Sequence, residues 1–318
     1  MIRSATAAAA NAATIVAAAL LLSSCIPEGR PEVESTRANA GPPVAAPAPR
    51  PAPAPTPSPT STKPVRTDFW FEGRLQQGAL LMGRVPSGTQ NLRFEGEPVE
   101  YGSDGFFIIG LDRDSRSAVQ LIATLDNGRT VERTLNIAPG DWKLEYINAP
   151  YRAGVSSEAF KARRGPELAR IAAARNVDVT SDGWRQDFIW PVTGRQSGFF
   201  GSQRVYQGKP GSYHGGADIA VPTGTVFVAP ADGVVTLAAN DDFTLEGKLI
   251  IVDHGMGLNS AFLHASEILV NEGDRVKQGQ PIGKVGQSGR ATGPHLHWGL
   301  KWNDARIDPL LVAGPVTR

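Results

Sequence analysis

The sequence predicts a mainly β protein with two folded parts, a small N-terminal β domain at 67–149 and a C-terminal β domain at 188–312. Three observations predict it. Within 67–149, apolar residues fall at every second position in short runs separated by turn-forming residues, the pattern of half-buried strands. Within 188–312, glycine alternates with short apolar runs, as in VPTGTVFVAPADGVVTLA and NEGDRVKQGQPIGKVG. The best helical stretch, 156–175, is a single element between the two.

The 318 residues suffice for two domains plus non-globular sequence. With 32 basic and 31 acidic residues the net charge is +1, which gives no electrostatic reason to expect nucleic acid as a partner. Cys25 is the one cysteine, so an internal disulfide and cysteine-based zinc sites are both excluded.

Residues 1–24 combine Arg3, an apolar run from Thr14 to Leu22 and small residues, the three-part plan of a secretory signal. LSSC, Leu22 to Cys25, resembles the bacterial lipobox, which implies lipidation of Cys25 and a membrane anchor of several acyl chains. Ile26 rather than aspartate follows, so by analogy the expected location is the outer membrane, facing the periplasm. A Pro/Ala-rich tether occupies 25–66. Its stretch Pro42–Pro64 could span roughly 70 Å at about 3.1 Å per residue in polyproline II.

The β domain at 67–149 should hold about seven strands, arranged as a sandwich. In SAVQLIATL, Val119, Leu121, Ala123 and Leu125 share a face. Asp126-Asn127-Gly128 signals a hairpin, and Val131, Leu135 and Ile137 line one face of the return strand. The domain has no histidine and no polar cluster suggestive of chemistry. A partly helical connector at 150–187 follows. Pro166 suits the first turn of its helix, and Leu168, Ile171 and Ala172 share a face. A short tail closes the chain at 313–318.

All five histidines lie between 214 and 297. In YHGGADIAVPTGT, His214 and Asp218 are four apart; the glycines and the β-branched run disfavour a helix, but an even spacing in extended chain also brings both to one side. In GPHLHWGL, a strand would point His295 and His297 to the same face and Leu296 to the other. Zinc favours imidazole nitrogen and carboxylate oxygen, and its catalytic sites use three protein ligands with a fourth position open for water. Two histidines and one aspartate would fill such a site, leaving one histidine of the pair as a base.

Residues 188–311 resemble the lysostaphin-type (LytM-like) zinc peptidases that cut peptidoglycan cross-bridges. The likeness is carried, in family order, by WPVTGRQSGFFGSQR, HGGADIAVPTGT, APADGVV, IIVDHGMGL, FLH, GDRVKQGQPIG, GRATGPHLHWGL and IDPLL. It implies a zinc peptidase domain held as a barrel-sandwich hybrid (duplicated hybrid motif), with Zn2+ bound by His214, Asp218 and His297 and with His264 and His295 as the catalytic histidines. The implied substrates are peptidoglycan stem peptides, and cell-wall or division proteins are candidate partners. The family usually carries tyrosine where this chain has Phe262, a departure that bears on fine substrate contacts. His254, Asp253, Asp308 and Arg204 suit turn and packing roles better than the site. The same resemblance holds an alternative: members that have lost metal ligands act as scaffolds activating cell-wall amidases, although this chain keeps all five positions. Biotinyl and lipoyl carriers share the fold rhythm, but a carrier needs an exposed hairpin-tip lysine, and Lys284 lies inside a strand-like run.

Overall fold

The alternating runs become strands that pair through short turns. The computed structural model describes residues 65–151 and 157–316; the signal, Cys25 and nearly all of the expected tether lie outside the described residues. At the N-terminal end, Trp70–Glu72, Leu80–Arg84 and Phe106–Gly110 form one sheet. Glu97–Pro98, Thr89–Phe94, Ala118–Leu125 and Thr130–Asn136 form another, in that order. Val119, Leu121 and Ala123 are buried along one strand, and Val119 and Ala123 stand opposite Leu135 and Val131 on the next. Gly128 adopts φ +78° in the connecting turn, a conformation glycine reaches at little steric cost.

An eighth strand, Leu144–Ile147, pairs in parallel with Gln203–Tyr206 of the C-terminal region. The two regions also share one continuous core: Leu81, Phe107, Ile108 and Leu121 belong to the same buried cluster as Trp298, Trp302 and Ile307. Phe94 meets Trp302 edge to face at 6.2 Å.

The C-terminal region is built on an eight-stranded sheet. Its order is Arg275–Val276, Gly233–Phe243, Gly247–Asp253, Leu258–Ala265, Leu296–Trp302, Ala217–Ala220 and Arg195–Gly198, with Ala305–Ile307 also paired to Leu296–Trp302. The central strands Gly247–Asp253 and Leu258–Ala265 are covered on both faces, which is why LIIV reads as an unbroken apolar run. A smaller sheet of Val226–Val228, Pro281–Lys284 and Glu267–Ile268 completes the mainly β architecture. Lys284 sits in its strand and pairs with Glu267 at 2.7 Å.

The connector helix differs from the expectation in two ways. It runs Glu158–Arg175 and starts at Ser157, whose side chain accepts from the Phe160 N–H at 3.1 Å; Pro166 therefore lies inside the helix, not in its first turn. Serine at the cap satisfies an end amide that proline cannot, and this outweighed the proline as a start signal. The inward face carries Glu167, Ile171 and Ala174, whereas Leu168 and Ala172 are exposed. Charge decides this orientation. Arg164 makes a two-pronged pair with Glu246 at 2.6 and 2.8 Å, and Glu167 accepts from the Thr244 N–H at 2.8 Å. Arg170 pairs with Asp241 at 2.8 Å. The helix is thereby fixed against the strand end and turn at 241–246, which borders the histidine cluster.

Candidate metal and catalytic site

Strand pairing assembles the site. Ala217–Ala220 runs antiparallel to Leu296–Trp302 with Asp218 directly opposite His297. His214 follows the strand Lys209–Tyr213 and is joined to Asp218 by Gly215-Gly216-Ala217. Two glycines make room. A Cβ at Gly216 would come within 2.8 Å of His297 Nε2, and one at Gly198, opposite Asp218 on the other neighbouring strand, would collide with the Asp218 carboxylate. Leu296 and Trp298 are fully buried, so the alternation of the strand turns His297 toward the cleft.

Three donor atoms converge. His214 Nε2 is 3.1 Å from both Asp218 Oδ1 and His297 Nδ1, and His297 Nδ1 is 2.8 Å from Asp218 Oδ1. Among the described residues these form the one group of three potential metal donors. The Nδ1–H of His214 donates to the Phe199 carbonyl at 3.1 Å, which fixes the tautomer and leaves Nε2 with its lone pair toward the cluster. Burial pulls the His214 imidazole down, but the Asp218 carboxylate outweighs it and holds the group above its ordinary value. Burial would raise Asp218; the adjoining His214 and His297 imidazoles instead hold it far below the usual carboxylate range. His297 is pushed down, chiefly by burial.

The other two imidazoles flank this trio. The ring of His295 is 4.8 Å from that of His264, and its Nε2 is 3.9 Å from Asp218 Oδ1. Its Nδ1–H donates to the Gly293 carbonyl at 2.8 Å. His264 sits just past the pairing of Leu263 with His297, where the register of the neighbouring strand shifts. It holds φ +66°, which costs a non-glycine residue about 1–2 kcal/mol. Two bonds hold it there: its backbone N–H to the Glu246 carbonyl and its Nδ1–H to the Ser288 carbonyl, both 2.8 Å. The irregularity swings the ring out of the core row and toward the cleft. Burial, reinforced by the neighbouring histidines, lowers His264 to about 4, so at neutral pH it is uncharged with a free Nε2.

All five residues singled out in the sequence, His214, Asp218, His264, His295 and His297, line one cleft of about 590 Å³. A separate cavity of about 380 Å³ beside Asp178, Asp253 and Asn303 contains none of them. His254 lies elsewhere, fully buried, with Nδ1–H donating to the Asp232 carbonyl and Nε2 accepting from Ser260, both at 2.8 Å. Asp253 accepts from the Gly255 N–H, Asp308 caps the final helix at Leu310, and Arg204 pairs with Glu145. Phe262 is fully buried and stacks on Phe227 at 5.6 Å, so it points into the core and cannot serve the substrate contacts suggested for that position.

Sequence reasoning missed the carbonyls of Phe199, Ser288 and Gly293, which orient three rings. A backbone acceptor leaves no side-chain signal. It also missed Gly198, whose only mark is its place in the motif GRQSGFF.

Residues 212–309 match Peptidase family M23. The chain is similar to peptidoglycan DD-endopeptidase ShyA of Vibrio cholerae, 42% identical over 87 residues that make up 27% of this chain and 20% of that protein. It is 38% identical over 102 residues to the DD-carboxypeptidase/endopeptidase Mpg of Neisseria meningitidis, 32% of this chain and 23% of that one. The match thus spans about a quarter or less of these relatives' own lengths. A crystal structure from Pseudomonas aeruginosa assigned to peptidase M23 superimposes with a TM-score of 0.59 and 29% identity, covering 76% of this chain and 96% of that one.

Proposed function

We propose, with the M23 peptidase domain at 212–309 as premise, that this protein is a zinc-dependent endopeptidase hydrolysing the peptide cross-links of bacterial peptidoglycan. The observation that carries the reading is the meeting of His214 Nε2, His297 Nδ1 and Asp218 Oδ1 within 3.1 Å of one another, next to two imidazoles that each keep an unengaged Nε2. Donors this close suit one tetrahedral ion at bond lengths of about 2.0–2.2 Å, and two nitrogens with one oxygen are a catalytic zinc set. Zinc so held supplies Lewis acidity and lowers the pKa of its water.

The protein supplies the rest. Asp218 stays ionised and balances part of the charge gathered at the site. The Phe199 carbonyl keeps His214 in the ligating tautomer. His264 and His295, held by the Ser288 and Gly293 carbonyls, direct their Nε2 atoms at the same space. Between them they accept the proton shed by the attacking water and return it to the leaving amine, help worth about 10²–10⁴-fold. A neutral His264 is a proton acceptor at physiological pH without prior deprotonation.

The LSSC motif and the proline-rich stretch that follows support export as a lipoprotein anchored through Cys25, in the outer membrane and facing the periplasm. Growth with radiolabelled fatty acid should label the wild type and leave Cys25→Ala unlabelled; equal labelling would remove the anchor from the proposal.

Purified residues 26–318 should carry close to one zinc per chain by elemental analysis and cut cross-linked muropeptides, read as mass shifts. His297→Ala should lose metal and cleavage together, whereas His295→Ala should lose cleavage and largely keep metal. A metal-free protein that stimulates a cell-wall amidase, and cuts nothing, would replace the hydrolase by a scaffold.

A further inference from the structure

The cleft concentrates positive charge in a chain that is almost neutral. Arg164, Arg175, Arg290, Lys301 and Arg306 line it, against the carboxylates of Asp218 and Glu246. Some of these cations are committed: Arg164 to Glu246 at 2.6 Å and Lys301 to Asp304 at 3.0 Å. Arg175 is not. It stands in the last turn of the helix Glu158–Arg175, makes no ion pair among the described residues, and its Nε is shut off from solvent without a hydrogen-bond partner. Its place in the last turn suits the helix dipole, but its Nε donates to none of the helix-terminal carbonyls. The acids whose fields reach it, Glu246 and Asp304, already hold Arg164 and Lys301.

Arg306 adds a second cation where charge repulsion works against it. Burial and the nearby Arg306 together push the Arg175 guanidinium below its usual value. Arg306 lies along Gly215, 3.1 Å from where a Cβ would be, and its Nη1 donates to the Tyr213 hydroxyl at 3.2 Å. Gly215 and Tyr213 flank His214, which places this guanidinium beside the candidate metal site. Leaving a guanidinium half-buried and unpaired, with a like charge beside it, costs stability unless an anion arrives. A planar guanidinium matches a carboxylate through two parallel N–H···O bonds.

We propose that Arg175 and Arg306 form a subsite that reads a free carboxylate of the peptide substrate, so that the protein discriminates between stem peptides by charge. This rests on the endopeptidase reading above and deepens it. Arg175 comes from outside the 212–309 match, so the connector helix contributes selectivity to a domain whose chemistry lies elsewhere in the chain.

The test uses the full zinc-loaded chain and two uncross-linked stem peptides that differ only in whether one side-chain carboxylate is free or amidated. Neither has a cross-link to cut, so binding is read alone by titration calorimetry. The free acid should bind on the order of tenfold tighter, as expected of a charge-assisted bidentate contact. Arg175→Met and Arg306→Met should each bring the ratio toward one; the second, at an exposed position, carries the test if the first disturbs the helix. Equal or undetectable binding of the two stems by the wild type, or variants that weaken both stems alike, would overturn the subsite. Digestion of cross-linked dimers is measured in parallel. A chain that distinguishes the stems yet cuts no dimer would sink the endopeptidase reading and leave the subsite standing.

Discussion

Two buried histidines stand at opposite ends of the strand Leu258–Ala265, and burial lowers both to about 4. His254, immediately after Gly247–Asp253 and bonded through its backbone N–H to the Leu258 carbonyl, has both ring nitrogens engaged, by the Asp232 carbonyl and Ser260, and packs edge-on against Phe188 at 4.9 Å. His264, near its end, has one nitrogen engaged and the other open to the cleft, and holds a left-handed backbone. Burial and a depressed pKa are common to both, so neither property marks function. What separates them is the unspent lone pair and the strain tolerated to aim it.

The sharpest break of that comparison is His264→Ala. Loss of a proton-transferring imidazole should lower kcat/KM for cross-linked muropeptides by about 10²–10⁴-fold per folded molecule, while zinc content stays near wild type. A variant that cuts at the wild-type rate would return His264 to the class of His254. The reciprocal change is His254→Gln. It removes ring packing and unbalances two buried hydrogen bonds, and should cost about 3 kcal/mol in urea unfolding followed by tryptophan fluorescence. The rate per folded, zinc-loaded molecule should hold. If activity fell instead and stability did not, the distinction drawn from ring saturation would be wrong.

The pair His295/His297 was legible because its spacing survives folding: an even step in extended chain keeps two side chains on one face whatever the neighbours do, whereas His214 and Asp218 meet across a bend at Gly216. The alternation of Val119, Leu121 and Ala123 was legible for the same reason. What joins the two pairs was not. Asp218 faces His297 across a strand pairing that links segments 79 residues apart, and no local pattern encodes such a register. The connector helix shows the other limit. Glu167 is one of its most buried residues because Thr244 and Arg164 receive it, and Leu168 next to it is exposed. Hydrophobicity alone ranks those two in the wrong order.

The smallest effect separates the two histidines by acid. At pH 7.5 His254 is neutral in both the folded and the unfolded chain, so its ionisation costs nothing. Below about 6.5 the unfolded chain takes up a proton that the folded site, at about 4, refuses. The unfolded state then binds more protons, and stability falls as pH drops through that window. For His254 the loss amounts to about 2 kcal/mol at pH 5. Asp253, raised by burial to about 6, acts with the opposite sign, favouring the fold as pH falls from 6 toward 4, so the raw curve mixes the two. The informative quantity is the stability of wild type minus that of His254→Gln, in which Asp253 and His264 cancel. That difference should shrink by about 2 kcal/mol between pH 7.5 and 5. A constant difference would mean that the folded ring takes up its proton as readily as the unfolded one, and that the bonds of His254 to Asp232 and Ser260 do not hold it neutral.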